Sequence, residues 1–157
     1  MKPIHVGLVA DPAAPSEMAH RISDLRPPAG QDRGTWDFEV VTEPFTLGYE
    51  DAATALGRLG DHSRRHGWDL VIGLTELPLR DDDGRYLLVQ TDPQQHRAVL
   101  SLPALGGLRM HARTRHAVRA LIGGLTDPTS QDGHRVPLPR FGGRGRLLSG
   151  MVLANRP

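Results

Sequence analysis

The stretch Trp-Asp-Leu-Val-Ile-Gly-Leu-Thr-Glu-Leu-Pro-Leu, residues 68–79, carries an apolar run with no polar alternation. A strand with one face in water alternates apolar and polar residues. A run that does not alternate needs cover on both faces. This stretch is far too short to cross a bilayer. It therefore predicts a central strand, and the rest of the chain has to supply helices for both of its sides.

The flanking segments can do so. Residues 4–10, Ile-His-Val-Gly-Leu-Val-Ala, read as a first strand ended by Pro12 and Pro15. Ser16 is placed to cap a helix over 16–25, with Glu17 in its first turn. Residues 26–34 form a Pro/Gly loop, and Trp36 onward reads as a second strand. Glu50 and Asp51 open a second helix whose apolar positions are Ala52, Ala55, Leu56 and Leu59, and Gly67 closes it. After the central strand, Asp83-Gly84 signals a hairpin, and residues 86–92 return as an expected edge strand. Residues 97–105 give a further strand, and a last helix follows over 109–125. The expected order is β-α-β-α-β-β-β-α. The fold class is α/β: a layered domain with helices on a mixed, mostly parallel sheet carrying an antiparallel hairpin. Residues 1–126 form this domain. Residues 127–157 are rich in Pro, Gly and Arg and read as an irregular tail.

Composition narrows the chemistry. A chain of 157 residues suits one domain with a real core. Cysteine is absent, which excludes disulfides, thiolate metal sites and a cysteine nucleophile. The N-terminus lacks the pattern of a signal peptide, so the expected location is the cytoplasm. Residues 1–108 hold ten basic and sixteen acidic residues, whereas 109–157 hold nine arginines and two aspartates. The C-terminal part is thus the basic end and suits phosphates or anionic lipid.

In the last helix, an angular step of 100° per residue puts Met110, Ala117, Val118, Leu121, Ile122 and Leu125 on one face. Arg109, Arg113, His116 and Arg119 fall opposite. This predicts a core helix with a basic outer side, and His116 facing solvent. Val71, Ile72, Leu74, Val99, Leu121 and Ile122 are expected to share one core.

From Trp68 to Leu125 the layout resembles the archaemetzincin type of metzincin. The shared features are an apolar strand ending in Leu-Thr, a hairpin, then Ala-Val-Leu-Ser-Leu-Pro-Ala-Leu, then an arginine-containing helix ending in Gly-Leu. The resemblance spans a little over a third of the chain. It implies a zinc site built on that helix from His-Glu-x-x-His, where two histidines one turn apart grip the metal and the glutamate activates water. Aligning the Gly-Leu ends puts Ala117 and Leu121 at the histidine positions and Val118 at the glutamate. Shifting by one residue brings in His116, but then pairs it with Ala120 and puts Ala117 at the glutamate position. Neither register binds zinc. No metal and no cofactor are expected, and no catalytic set is found.

Other constellations carry less. His62 and His66 are one turn apart but have no glutamate between them, and as cations near a helix C-terminus they suit the dipole. Asp81, Asp82, Asp83 and Gly84 lack the alternating ligands of a calcium loop. Asp11, Thr75 and Glu76 end two strands where open α/β sheets bind ligands.

Three functional readings follow. The first is a non-catalytic domain on the cytoplasmic side of a membrane-attached protein, with Arg140, Arg144 and Arg146 contacting anionic lipid or phosphate. Here the tail is expected to lead to a membrane segment outside this chain. The alternative is a hydrolase-like enzyme or small-ligand-binding domain with its site near Asp11 and Glu76. The third is nucleic-acid binding through Arg109, Arg113, Arg115 and Arg119. With aromatic residues at 4%, and no recognition motif, no specific nucleic-acid partner is expected.

Overall fold

The computed structural model describes residues 2–29, 34–46, 52–80, 86–105, 107–126 and 135–137. The elements in order are β1 (Ile4–Ala10), α1 (Ala14–Ile22), β2 (Trp36–Thr42), α2 (Ala52–His66), β3 (Leu70–Thr75), β4 (Leu79–Arg80), β5 (Tyr86–Asp92), β6 (Arg97–Ser101), α3 (Met110–Thr126) and β7 (Arg135–Pro137). Two short 3-10 turns, Pro93–Gln95 and Pro103–Leu105, precede β6 and α3. The sheet order is β2-β1-β3-β6-β5-β4, with β7 also paired to β5. β1, β2, β3 and β6 run parallel, while β5 is antiparallel to β6, β4 and β7. The chain has the α/β fold expected of it.

Topology explains where the helices sit. The chain leaves β1 for β2 on one side through α1, then returns past β1 to β3 through α2. Crossovers between parallel strands are right-handed, so reversing the direction of travel puts the two helices on opposite faces. α1 and α3 pack on one face through Ala19, Ile22, Val118, Ile122 and Leu125 against Val6, Leu8, Leu70, Ile72, Leu74 and Leu100. α2 packs on the other face through Ala52, Ala55, Leu56 and Leu59 against Val9, Val71 and Val99. The single core expected from the sequence is therefore two. Side chains alternate across a strand, so Val71 and Val99 cannot share a face with Ile72 and Leu74.

Four further expectations are corrected. Ser16 is not the cap of α1: Ala13 holds that place at φ 73°, with a proline in the first turn, and the Ser16 hydroxyl meets that of Thr42. β5 is not an edge strand, because β7 pairs along the side opposite β6, while β4 follows β6 along the near side. β7 itself arises within the segment read as irregular. Leu121 is only partly buried, whereas Val118 and Ile122 are fully so. Gly67 does close α2, at φ 67°, with its N–H on the Ser63 carbonyl at 2.9 Å. The hairpin turn at 81–85, the helix-opening pair Glu50 and Asp51, and Arg140, Arg144 and Arg146 lie outside the described residues.

One glycine is fixed by packing. The Trp68 ring lies over Gly7, and a Cβ at Gly7 would overlap it. The Trp68 indole N–H donates to Glu39 Oε2 at 2.7 Å, which locks the ring across β1.

Candidate functional site

β1 lies where the strand order reverses, so the carboxyl ends of β1 and β3 flank the crevice that open α/β sheets use for ligands. Asp11 stands at the end of β1 and Thr75 at the end of β3. The structure brings these two together, but through a third residue that the sequence reading missed. Asp11 is buried, with 7% of its surface exposed. Its Oδ1 accepts from Phe45 N at 3.0 Å and Thr46 N at 3.4 Å, and its Oδ2 accepts from the Thr46 hydroxyl. The Thr46 hydroxyl also lies 3.1 Å from the Thr75 hydroxyl. Thr75 Oγ1 in turn accepts from Leu77 N at 3.1 Å. Ser101, at the end of the adjacent β6, donates to the Leu77 carbonyl at 3.0 Å.

The crevice thus holds a piece of its own chain. Phe45 is buried on the α2 side, where a Cβ on Gly73 would come within 2.7 Å of its ring. A buried carboxylate is costly unless its oxygens accept hydrogen bonds, and here two backbone N–H groups and a hydroxyl supply them. Asp11 fastens the segment after β2 onto the ends of β1 and β3. Glu76 does not join this network and is exposed. Thr46 carried no local signal, since its partners lie 29 and 35 residues away. The one hint was Phe45, a large apolar residue just after a proline.

The second place to look is α3. Val118 is fully buried against the sheet, along with Thr114 and Ile122, one turn to either side. Ala117 and Leu121 are half-buried at the margin of that core. His116 is exposed, as expected. The basic outer side is not a continuous patch. Arg113 donates to the Leu105 carbonyl at 2.5 Å, and Arg115 donates to Asp24 at 2.6 Å. The Arg115 guanidinium holds the Asp24 carboxyl below its ordinary range.

The third is the histidine pair on α2. His62 is buried, and burial pushes its pKa below the ordinary value, although Glu43, 3.4 Å from its Nε2, pulls the other way. Burial thus favours the neutral ring over the dipole-stabilised cation expected of it. His66 Nδ1 lies 2.8 Å from the His62 carbonyl, and its ring stacks on Trp68 at 4.3 Å. Among the described residues no group of three His, Asp or Glu could hold a metal ion, and no helix is long and apolar enough to cross a membrane.

No family model matches the chain, and no curated protein matches its sequence. Solved structures do match. A zinc-dependent peptidase from Methanocorpusculum labreanum superposes with a TM-score of 0.53 at 15% identity, covering 76% of this chain and 80% of that one. An archaemetzincin from Methanopyrus kandleri gives a TM-score of 0.49 at 18% identity, covering 76% and 69%. The chain shares its fold with the zinc-dependent peptidase. At such identities the likeness speaks to fold alone.

Proposed function

We propose that this chain is a metzincin-like domain without peptidase chemistry, serving as a non-catalytic module beside a membrane. The observation that carries the first half is Val118. It stands where the resemblance requires the water-activating glutamate, and it is 0% exposed within the core. A carboxylate there would be desolvated and turned away from any substrate. The flanking positions, Ala117 and Leu121, offer no nitrogen or oxygen to a metal. α3 spends its sheet-facing side on packing.

The membrane half rests on charge. The nine arginines and two aspartates after Leu108 make this the basic end of a chain that is acidic before it. Basic residues near an anionic bilayer contribute about 1 kcal/mol each, so Arg140, Arg144 and Arg146 would orient a domain and not anchor it. Cosedimentation of the 157-residue chain with vesicles of graded anionic lipid content tests this. Binding should rise with anionic lipid, fall as salt rises, and vanish when the three arginines become glutamine. Equal binding to neutral vesicles, or tighter binding to duplex DNA, would remove the support for this half.

The rival reading, a ligand site at the ends of β1 and β3, has the position of Asp11 in its favour. Against it stands Thr46, which already bridges Asp11 and Thr75.

A further inference from the structure

β2 is the end strand of the sheet. β1 pairs along one side of it, and among the described residues no strand pairs along the other. Its residues Trp36–Thr42 hold one register, from Ile4↔Trp36 to Ala10↔Thr42, without a bulge. Ile4 N donates to the Thr35 carbonyl at 2.8 Å, and Glu43 N donates to the Ala10 carbonyl at 3.1 Å. Backbone groups alternate in direction along a strand, so Asp37, Glu39 and Val41 also bond inward to β1. Trp36, Phe38, Val40 and Thr42 therefore point their N–H and C=O groups out of the sheet.

Such an edge is a template for another strand, and proteins blunt it by shortness, proline, bulges or charge. β2 has only the last of these. Asp37 and Glu39 are exposed, and Trp36, Phe38 and Val40 are half-buried on the opposite face. Asp37 lies 3.2 Å from His5 Nδ1, and Glu39 accepts from the Trp68 indole. Among the described residues neither carboxylate is paired with a lysine or arginine.

These two carboxylates select the occupant. A closed dimer joined at this edge is two-fold symmetric, so its two strands run antiparallel. Residues with outward backbone groups then face one another, and the odd-numbered residues face one another between them. Centred on Glu39, that pairing sets Glu39 against Glu39. Centred on Phe38, it sets Asp37 against Glu39. Centred on Val40, it sets Asp37 against Glu43. Each register opposes like charges, which is destabilising. A strand with basic residues opposite Asp37 and Glu39 meets no such repulsion and gains two cross-strand ion pairs. Beside Trp36, Phe38 and Val40 the same strand presents apolar residues.

We propose that the outer edge of β2 binds an extended segment of another protein in which basic and apolar residues alternate, by adding a strand to the sheet. Backbone hydrogen bonds supply the affinity, and the carboxylates supply the choice of partner. The site is separate from the strand-end crevice and from the basic tail.

The probe is the end-blocked peptide Thr-Val-Lys-Val-Lys-Val-Thr, which reads the same in both directions. It is titrated into the whole chain, labelled with nitrogen-15. The amides of Trp36, Phe38, Val40 and Thr42 should shift saturably and gain protection from hydrogen exchange. Those of Asp37, Glu39 and Val41, already bonded to β1, should gain far less. The peptide with glutamate for lysine should bind at least about tenfold more weakly, and N-methylation of its valines should abolish binding. Asp37→Asn with Glu39→Gln keeps the polar contacts to His5 and Trp68 but removes the charge. It should weaken the lysine peptide about fivefold and leave the melting temperature nearly unchanged. The proposal is overturned by no saturable shift up to millimolar peptide, or by protection that does not alternate along β2. It is equally overturned if the glutamate or N-methylated peptide binds as tightly, if the neutralised variant binds undiminished, or if the parent chain forms a dimer with these same amides protected.

Discussion

Replacing Ile122 with alanine tests the orientation of α3. Ile122 is 0% exposed and faces Leu70, Ile72 and Leu100 on the sheet. The change removes three carbons, and at about 0.8 kcal/mol for each buried methylene the transfer loss is about 2.4 kcal/mol. A residual cavity of about 50 Å³ adds about 1.2 kcal/mol, at about 24 cal/mol per Å³. The expected cost is thus about 3–4 kcal/mol. Leu121→Ala is the control. Leu121 is next in sequence but 100° round the helix and only partly buried. Its truncation should cost about 1 kcal/mol, because part of the side chain already meets water. The assay is equilibrium urea unfolding, reading the midpoint at constant slope. For a chain of this size the two variants should also differ by about 4–12 °C in melting temperature. If Leu121→Ala cost as much as Ile122→Ala or more, the helix would be rotated relative to the sheet. The argument from Val118 would then fail with it.

Three other expectations follow from single contacts. Asp11→Ala leaves Phe45 N–H, Thr46 N–H and the Thr46 hydroxyl without their acceptor, so it should cost about 2–4 kcal/mol and speed hydrogen exchange at those two amides most; unchanged exchange there would mean the fastening is not Asp11. Gly7→Ala forces a methyl into the Trp68 ring and should destabilise by about 2 kcal/mol or more, read by thermal melting alongside the Trp68 fluorescence. His62 has a folded pKa below its unfolded value of about 6.5, so its contribution to stability is complete above that pH and is lost as pH falls through the depressed value. The parent should lose stability between pH 7.5 and 5.5 more steeply than His62→Gln, and parallel curves would exclude His62 as the source.

The sequence carried the order of elements because its signals are local. The unbroken apolar run of β3, the Gly67 stop and the helical spacing on α2 and α3 each depend on a few adjacent residues. What it hid was partition and pairing. In a strand buried on both faces, Val71 and Ile72 are equally apolar, and nothing near them says that one meets α2 and the other α3. β5 looked like an edge because the strand on its second side, β7, is only three residues long and lies in a Pro/Gly/Arg-rich segment. On α3 the apolar arc is wide enough to admit either Leu121 or Ile122 at its centre, and the sheet decides for Ile122. The same limit held at the crevice. Asp11 and Thr75 were legible as strand ends, but Thr46, which joins them, reaches both from a different connection.

Zinc content tests the central claim most directly. The 157-residue chain, purified after growth in zinc-supplemented medium and dialysed at pH 7.5, should contain far less than one zinc per chain by elemental analysis. Zinc added afterwards should give no saturable heat in calorimetry and no rise in melting temperature. One zinc per chain, retained through dialysis and lost on changing His62 and His66, would contradict the account.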